Sequence, residues 1–336
     1  MRAIIDSDIQ EAARYLREGE VIAIPTETVY GLAGNALDTQ AVSRIFEVKN
    51  RPTFNPLIVH SHGLEGIRKF VSQLPKQMED LTDAFWPGPL TLLLPKDEII
   101  PDLVTAQNDR VAVRVPQHPL TLELLASLDF PLAAPSANPF GYISPTTAEH
   151  VMQQLGVKIP YILDGGSAQV GVESTIIGWE KDHSFQVYRL GGLSVEQIEE
   201  VLGPIAPRST SSGSVKASGM LKSHYAPGAD LFLGHIERLW EEKGGARTAV
   251  LNYRHQRPHI PFDQQYVLTP SGNMKEAAQR LFALMREIDG QDYDTILTEH
   301  VPNVGLGRAI NDRLEKAQAQ FKGSLYKEEA SSEIVD

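Results

Sequence analysis

The sequence predicts an α/β protein built as two domains of unequal size. Three observations carry that prediction. Short apolar runs of strand character alternate along the chain with segments whose apolar residues recur at helical spacing. The periodicity breaks for long only over 204–228, a run rich in Ser, Gly and Pro. The length, 336 residues with 42% hydrophobic and 22% charged, suffices for two ordinary soluble cores. The expected limits are 1–203 for a first domain, 204–228 for a linker and 229–336 for a smaller α/β domain with a polar, acidic tail.

The elements follow in order. Ser7 with Gln10 has the form of a capping box, and Ile9, Ala12, Ala13 and Leu16 recur at helical spacing until Gly19. Residues 21–24 make a short buried strand that ends at Pro25. A helix over 39–49 turns Val42, Ile45 and Phe46 inward. Strands at 57–59 and 90–94 are separated by a helix at 76–85. In the strand 111–115, Arg114 shares its face with Ala112 and not with the valines. A helix at 119–128, a strand at 132–134 and a helix at 147–155 come next, then strands at 161–163, 174–177 and 186–189. Ser194 with Gln197 caps a helix that Gly203 ends. Beyond the linker, strands at 248–252, 266–268 and 295–298 alternate with helices at 274–288 and 306–320, the pattern of a small parallel sheet.

Composition excludes several function classes. The absence of cysteine removes disulfides, thiolate zinc sites, iron–sulfur clusters and a cysteine nucleophile. The ten histidines lack zinc-like spacing, and neither a GxxxxGK[ST] loop nor a GxGxxG after a strand occurs. A net charge of −12 gives no global pull towards nucleic acid. No run approaches the roughly 20 apolar residues of a spanning helix, and the first residues have no secretory pattern, so a cytoplasmic protein without a membrane partner is expected.

Five stretches can bear chemistry. Residues 25–32, PTETVYGL, place hydroxyls and a glycine after a strand, either as a capped turn or as a polar ligand shelf that includes Thr28. Lys49, Arg51, Asn55 and His60 crowd one helix end and the next strand; they complement the helix dipole or form an anion site on an acidic chain. Arg114 in an apolar strand needs an anion, from an internal carboxylate or from a ligand. Ala134, Ser136 and Asn138, with Ser144 beyond, offer small groups for close approach, although Ser144 before Pro145 also suits a helix start. Residues 171–176, GVESTI, with Arg189 in the following strand, read either as turn chemistry or as a site wall. Gly305 to Arg308 read as a helix cap, with an anion site as the alternative.

Taken together and in this order, PTETVYGL, KNRPTFNPLIVH, VRVP, APSAN, GVESTI and SHYAPG resemble the threonylcarbamoyl-AMP synthase family in its long, two-domain form. The family's Lys-x-Arg and Ser-x-Asn pattern is matched by Lys49, Arg51, Ser136 and Asn138. The resemblance implies a YrdC-like catalytic domain, a twisted, mixed open sheet with surrounding helices, plus a smaller Rossmann-like α/β C-terminal domain. It implies formation of threonylcarbamoyl-AMP and pyrophosphate from L-threonine, bicarbonate and ATP with Mg²⁺. A separate tRNA threonylcarbamoyl transferase then takes the product, so tRNA is met only indirectly. By the same resemblance Thr28, His60, Arg114, Ala134 and Ser174 hold threonine. Arg51, Asn55, Ser136, Ser144, Arg189 and Tyr225 hold ATP, with Asn138 in support and Lys49 and Arg51 catalytic; no protein metal site is implied. Arg110 departs from the pattern, standing where a small hydroxyl residue is expected.

Those roles suit the residue types. Phosphoryl-type transfer needs positioning and charge neutralisation more than a nucleophile. Carbamate and mixed anhydride both hydrolyse, which favours a linker that closes as a lid. The rival readings are a non-catalytic double-stranded RNA or ribosome-binding module, disfavoured by net charge, and a hydrogenase maturation factor, whose zinc fingers a cysteine-free chain cannot build.

Overall fold

The computed structural model describes residues 2–180, 182–205, 215–221 and 223–318. The run 209–214 and the tail beyond 318, expected to be linker and polar tail, lie outside the described residues. The chain divides into two compact units, Met1–Phe140 with Ser144–Met220, and Gly141–Ile143 with Leu221–Asp336.

The first unit is built on ten strands: β1 (Ile4–Asp6), β2 (Ile22–Ile24), β3 (Gly31–Asn35), β4 (Ile58–His60), β5 (Leu90–Pro95), β6 (Arg110–Arg114), β7 (Leu132–Ala133), β8 (Tyr161–Leu163), β9 (Thr175–Trp179) and β10 (Phe185–Arg189). They form one mixed sheet in the order β1-β8-β2-β3-β7-β4-β6-β5-β9-β10. Parallel pairs such as β4 with β6 alternate with antiparallel ones such as β7 with β4. β1 and β3 were not expected: β1 is three exposed residues on the sheet edge, and the glycines of β3 blur any strand pattern.

Alternation along the strands sorts residues to two faces. Leu90, Leu92 and Leu94 of β5, Val111 and Val113 of β6, and Val59 of β4 enter the main core with Val42, Ile45 and Leu81 from the covering helices. Ile58, Leu93, Ala112, Ile176 and Tyr188 point the other way and meet Ala217, so 215–220 pack against that face. Arg114 therefore shares a face with Ala112, as expected.

Local chemistry sets the helix ends. The first helix, Ile9–Arg17, is capped by Asp8, whose carboxylate accepts the amides of Gln10 and Glu11; the expected Ser7–Gln10 box does not form. Asp8 supplies the stronger, charged acceptor one residue later. The Ser194–Gln197 box does form, on the helix Val195–Leu202. The helix Thr39–Lys49 stops at Asn50, which takes the left-handed conformation (φ 51°) that Asn tolerates, and Arg51 then donates its amide to the carbonyl of Phe46.

The second unit holds β11 (Asp230–Leu233), β12 (Thr248–Asn252), β13 (Gln265–Val267) and β14 (Thr295–Thr298) in the order β11-β14-β12-β13, all parallel. β11 and the helix Ile236–Lys243 were not expected; the other strands and the helix Met274–Asp289 were.

Candidate active site

One stretch of the first unit's sheet, around the ends of β4, β6, β9 and β10, collects four of the predicted residues. Register pairs His60 with Arg114 at the carboxyl ends of β4 and β6, on the face that carries Ile58 and Ala112. β5 bridges the gap to β9, where Leu90 pairs with Thr175, one residue after Ser174. Arg189 closes the row from β10 across an irregularity in register. All of these polar side chains are buried: His60, Arg114, Ser174 and Arg189 expose 4% or less of their surface.

Contacts divide the row into two neighbourhoods joined by Ser174. Its hydroxyl shares a 2.7 Å hydrogen bond with Thr91 and accepts one from Arg189 Nη2 at 3.0 Å, while Arg189 Nε donates to its carbonyl. Gly191 makes room for this joint, since a Cβ there would fall 2.2 Å from the carbonyl oxygen of Glu173. On the other side, Arg114 Nε donates to the carbonyl of Gly88, and Arg114 Nη2 lies 2.7 Å from Glu27 Oε1. The internal carboxylate considered for Arg114 is thus Glu27, itself 4% exposed. Thr28 sits in the turn that Thr26 Oγ1 organises, 2.8 Å from that oxygen.

Lys49 and Ser136–Asn138 form one physical joint. Lys49, fully buried at the helix end, donates from Nζ to the carbonyls of both Ser136 and Asn138. The spaced pattern of a lysine and a Ser-x-Asn stretch is therefore a contact: the ammonium shapes the 136–138 loop. Arg51, two residues on and past the left-handed Asn50, donates to the carbonyls of Asn55 and Pro56, to Asn55 Oδ1 at 2.7 Å and to Ser218 Oγ. Asn55 Nδ2 is buried without an acceptor among the described residues, a donor left over for a ligand. Ser144 donates to Glu173 Oε1 at 2.6 Å. Ala134 gives its amide to Ile58 and lies against the backbone of Gly31.

Electrostatics follow from burial. Desolvation first, and the Arg51 charge second, hold the Lys49 ammonium well below the usual lysine range, with Glu173 opposing. Desolvation, then Arg114, push the His60 imidazole down to about 3, so it is neutral in ordinary buffers. Buried cations outnumber buried carboxylates here, on a chain whose net charge is negative.

Two positions singled out in the sequence fall elsewhere or gain other partners. Tyr225 belongs to the second unit, where its buried ring stacks on Phe282 at 5.6 Å beneath the Arg313 guanidinium. Arg110, at the opposite end of β6, is held by the Trp179 carbonyl and by Glu180. Ser218, to which no role was attached, receives hydrogen bonds from both Arg51 and Arg189. Glu27, Thr91 and Glu173 were also missed as individual residues. A carboxylate between hydroxyls in a strand-end turn was the available signal for Glu27; Thr91, inside an apolar strand, offered none.

Family models and known proteins match the chain over most of its length. Residues 14–191 match a family model named for Sua5, YciO and YrdC and described as "Telomere recombination"; residues 193–319 match "Threonylcarbamoyl-AMP synthase, C-terminal domain". The chain is 41% identical over 324 residues to the threonylcarbamoyl-AMP synthase of Pyrococcus abyssi, covering 92% of this chain and 93% of that protein. The chain belongs to the threonylcarbamoyl-AMP synthase family. A Bacillus subtilis threonylcarbamoyl-AMP synthase is likewise 41% identical, with 93% of each chain covered. The crystal structure of P. abyssi Sua5 complexed with L-threonine superposes with a TM-score of 0.86 at 39% identity, covering 94% of this chain and 98% of that one. The ten-stranded mixed sheet followed by a four-stranded parallel one is therefore a Sua5-like plan.

Proposed function

We propose that the protein condenses L-threonine, bicarbonate and ATP into threonylcarbamoyl-AMP, releasing pyrophosphate and water, as the activating step of tRNA threonylcarbamoylation. The observation that carries this reading is the row His60, Arg114, Ser174 and Arg189 beside the Lys49 joint: amino-acid-sized polar groups at one end, polyphosphate-sized charge at the other. Arg114 receives the α-carboxylate, with Thr28, neutral His60, Ser174 and the backbone of Ala134 fitting the rest of threonine. Arg51, Asn55, Ser136, Ser144 and Arg189 receive ATP, and Asn138 supports the loop.

The chemistry needs no side-chain nucleophile. The threonine amine captures bicarbonate as a carbamate, and a carbamate oxygen attacks the α-phosphorus as pyrophosphate departs. Lys49 and Arg51 act by charge and placement, in the way that phosphoryl transfer is generally catalysed. Mg²⁺ arriving with ATP would supply further neutralisation of phosphate charge. Among the described residues no cluster of three His, Asp or Glu side chains is placed to hold it, and Glu173, close enough to raise the Lys49 pKa, is the carboxylate that could contribute to it. Water must be kept from both intermediates, and the packing of Ala217 and Ser218 over the sheet face supports a lid role for this end of the linker. No described helix is long and apolar enough to cross a membrane, and a cytoplasmic site of action is part of the proposal.

The test is incubation with ATP, L-threonine and labelled bicarbonate. Label is expected in an acyl-adenylate, with pyrophosphate released only when threonine and bicarbonate are both present. Pyrophosphate release indifferent to either one would overturn the reading.

A further inference from the structure

We propose that Glu27 recognises the α-ammonium of the amino-acid substrate and accepts its proton before carbamate forms. This rests on the threonine-site reading above and adds a catalytic residue to it.

The Glu27–Arg114 pair has the geometry of an incomplete site. Both residues are 4% exposed, and Glu27 Oε1 lies 2.7 Å from Arg114 Nη2. Yet the two atoms lie off the axis of a hydrogen bond, and neither has a hydrogen-bond partner among the described residues. Each residue is instead anchored through its other atoms. Glu27 Oε2 accepts the Gln117 amide at 3.0 Å, the Glu27 carbonyl accepts the Val170 amide, and Arg114 Nε donates to Gly88. The Arg51 guanidinium nearby shows the contrast, with Nη2 donating to Asn55 Oδ1 and to the Pro56 carbonyl. Burying an acceptor and a donor whose hydrogen-bonding capacity stays open is costly unless a ligand completes both.

The molecule that completes both is a zwitterion. A fixed guanidinium suits a carboxylate, and a fixed carboxylate beside it suits an ammonium on the neighbouring carbon. A substrate carboxylate on Arg114 also brings a second negative charge up to Glu27, which strengthens its pull on the cationic end of the same molecule. Reaction requires more than binding, because an ammonium has no lone pair. The proton passes from threonine nitrogen to Glu27 Oε1, leaving the electron pair on nitrogen. That pair attacks the bicarbonate carbon, the carbon–hydroxyl bond breaks, and the hydroxyl leaves as water with a second proton from the same nitrogen. Carbamate remains, and Glu27 returns its proton to solvent.

The test compares L-threonine with 3-hydroxybutyrate, which keeps the carboxylate and hydroxyl but lacks the amine, by calorimetry on the full chain. The wild-type protein should prefer threonine by about tenfold or more, and Glu27→Gln, which preserves the acceptor for Gln117, should lose most of that preference. In steady state, E27Q should lower kcat/KM for threonine while KM for ATP holds. Its deficit against wild type should shrink as pH rises from 7 to about 9, because solution then supplies a far larger fraction of the free amino acid with a neutral amine. A variant that keeps the wild-type preference would overturn the proposal. So would a deficit equal at pH 7 and pH 9, which marks a residue that only steadies Arg114. If E27Q does not fold, Glu27→Asp, with the charge withdrawn by one methylene, should lose threonine affinity at constant ATP affinity, and unchanged threonine affinity in it would count against Glu27. Failure of the wild-type protein to bind threonine would sink the site reading first.

Discussion

Arg114 concentrates what single residues contribute here. Read as a charge in an apolar strand, it needed an anion, and sequence left open which one. The fold supplies Glu27, yet leaves the pair short of a hydrogen bond. Arg114→Leu is expected to weaken threonine binding by roughly 2–5 kcal/mol while ATP affinity holds. It should also lower folding stability by about 3–5 kcal/mol, because Glu27 stays buried without its cation. The double variant E27Q/R114L separates the effects, recovering much of the stability in urea titrations and none of the threonine affinity. Wild-type threonine affinity in R114L would assign the guanidinium to Glu27 alone. His60 carries a second expectation. With its imidazole held neutral down to about 3, the folded protein does not bind the proton that the unfolded chain binds below about 6.5. Its contribution is full above that value and declines as pH falls, by about 1.4 kcal/mol per unit through the window from 6.5 to 3. Urea midpoints measured against pH should show this slope, and His60→Asn should flatten it by one proton.

At the scale of elements, the Lys49 joint changes what mutation of that residue should do. If Lys49 met only polyphosphate, its loss would depress turnover and spare folding. Its Nζ instead serves the Ser136 and Asn138 carbonyls, so Lys49→Met strands a buried acceptor and a half-buried one, with about 1–3 kcal/mol for the buried carbonyl and less for the other. Melting and ATP titration should fall together, with threonine affinity less affected; a stable variant with poor turnover would restore the purely electrostatic role. The same joint shows what was legible. Lys49, Arg51, Ser136 and Asn138 stood out by type and order, but a contact between residues 87 apart is written in no local period. The strands with strong apolar runs, β4, β5, β6 and β12, were found. β1 and β3 were not, because an exposed edge and paired glycines erase the alternation on which strand reading depends. Glu27 and Glu173 went unread because an acidic residue in a turn is ordinarily solvated, and only the fold reveals that both are buried.

The whole molecule poses an electrostatic contrast that bears on its partners. The chain carries −12, while Lys49, Arg51, Arg114 and Arg189 are all at least nine-tenths buried. Nucleic acid binding draws its strength from many exposed cations, each neutralising a backbone phosphate and releasing counterions. Buried cations cannot reach successive phosphates of a helix, and the net negative charge of the chain opposes a polyanion at distances up to a Debye length, about 8 Å at physiological salt. We therefore expect fluorescence titration at 0.15 M salt to show tRNA binding no tighter than about 100 µM, the weak end of non-specific association. ATP and L-threonine should bind under the same conditions, and ATP affinity should fall only modestly with added salt, since buried charges are screened less than exposed ones. Micromolar tRNA binding with a steep inverse dependence on salt would reverse the argument: the sheet face would then be an RNA-binding surface, and the buried arginines its anchors.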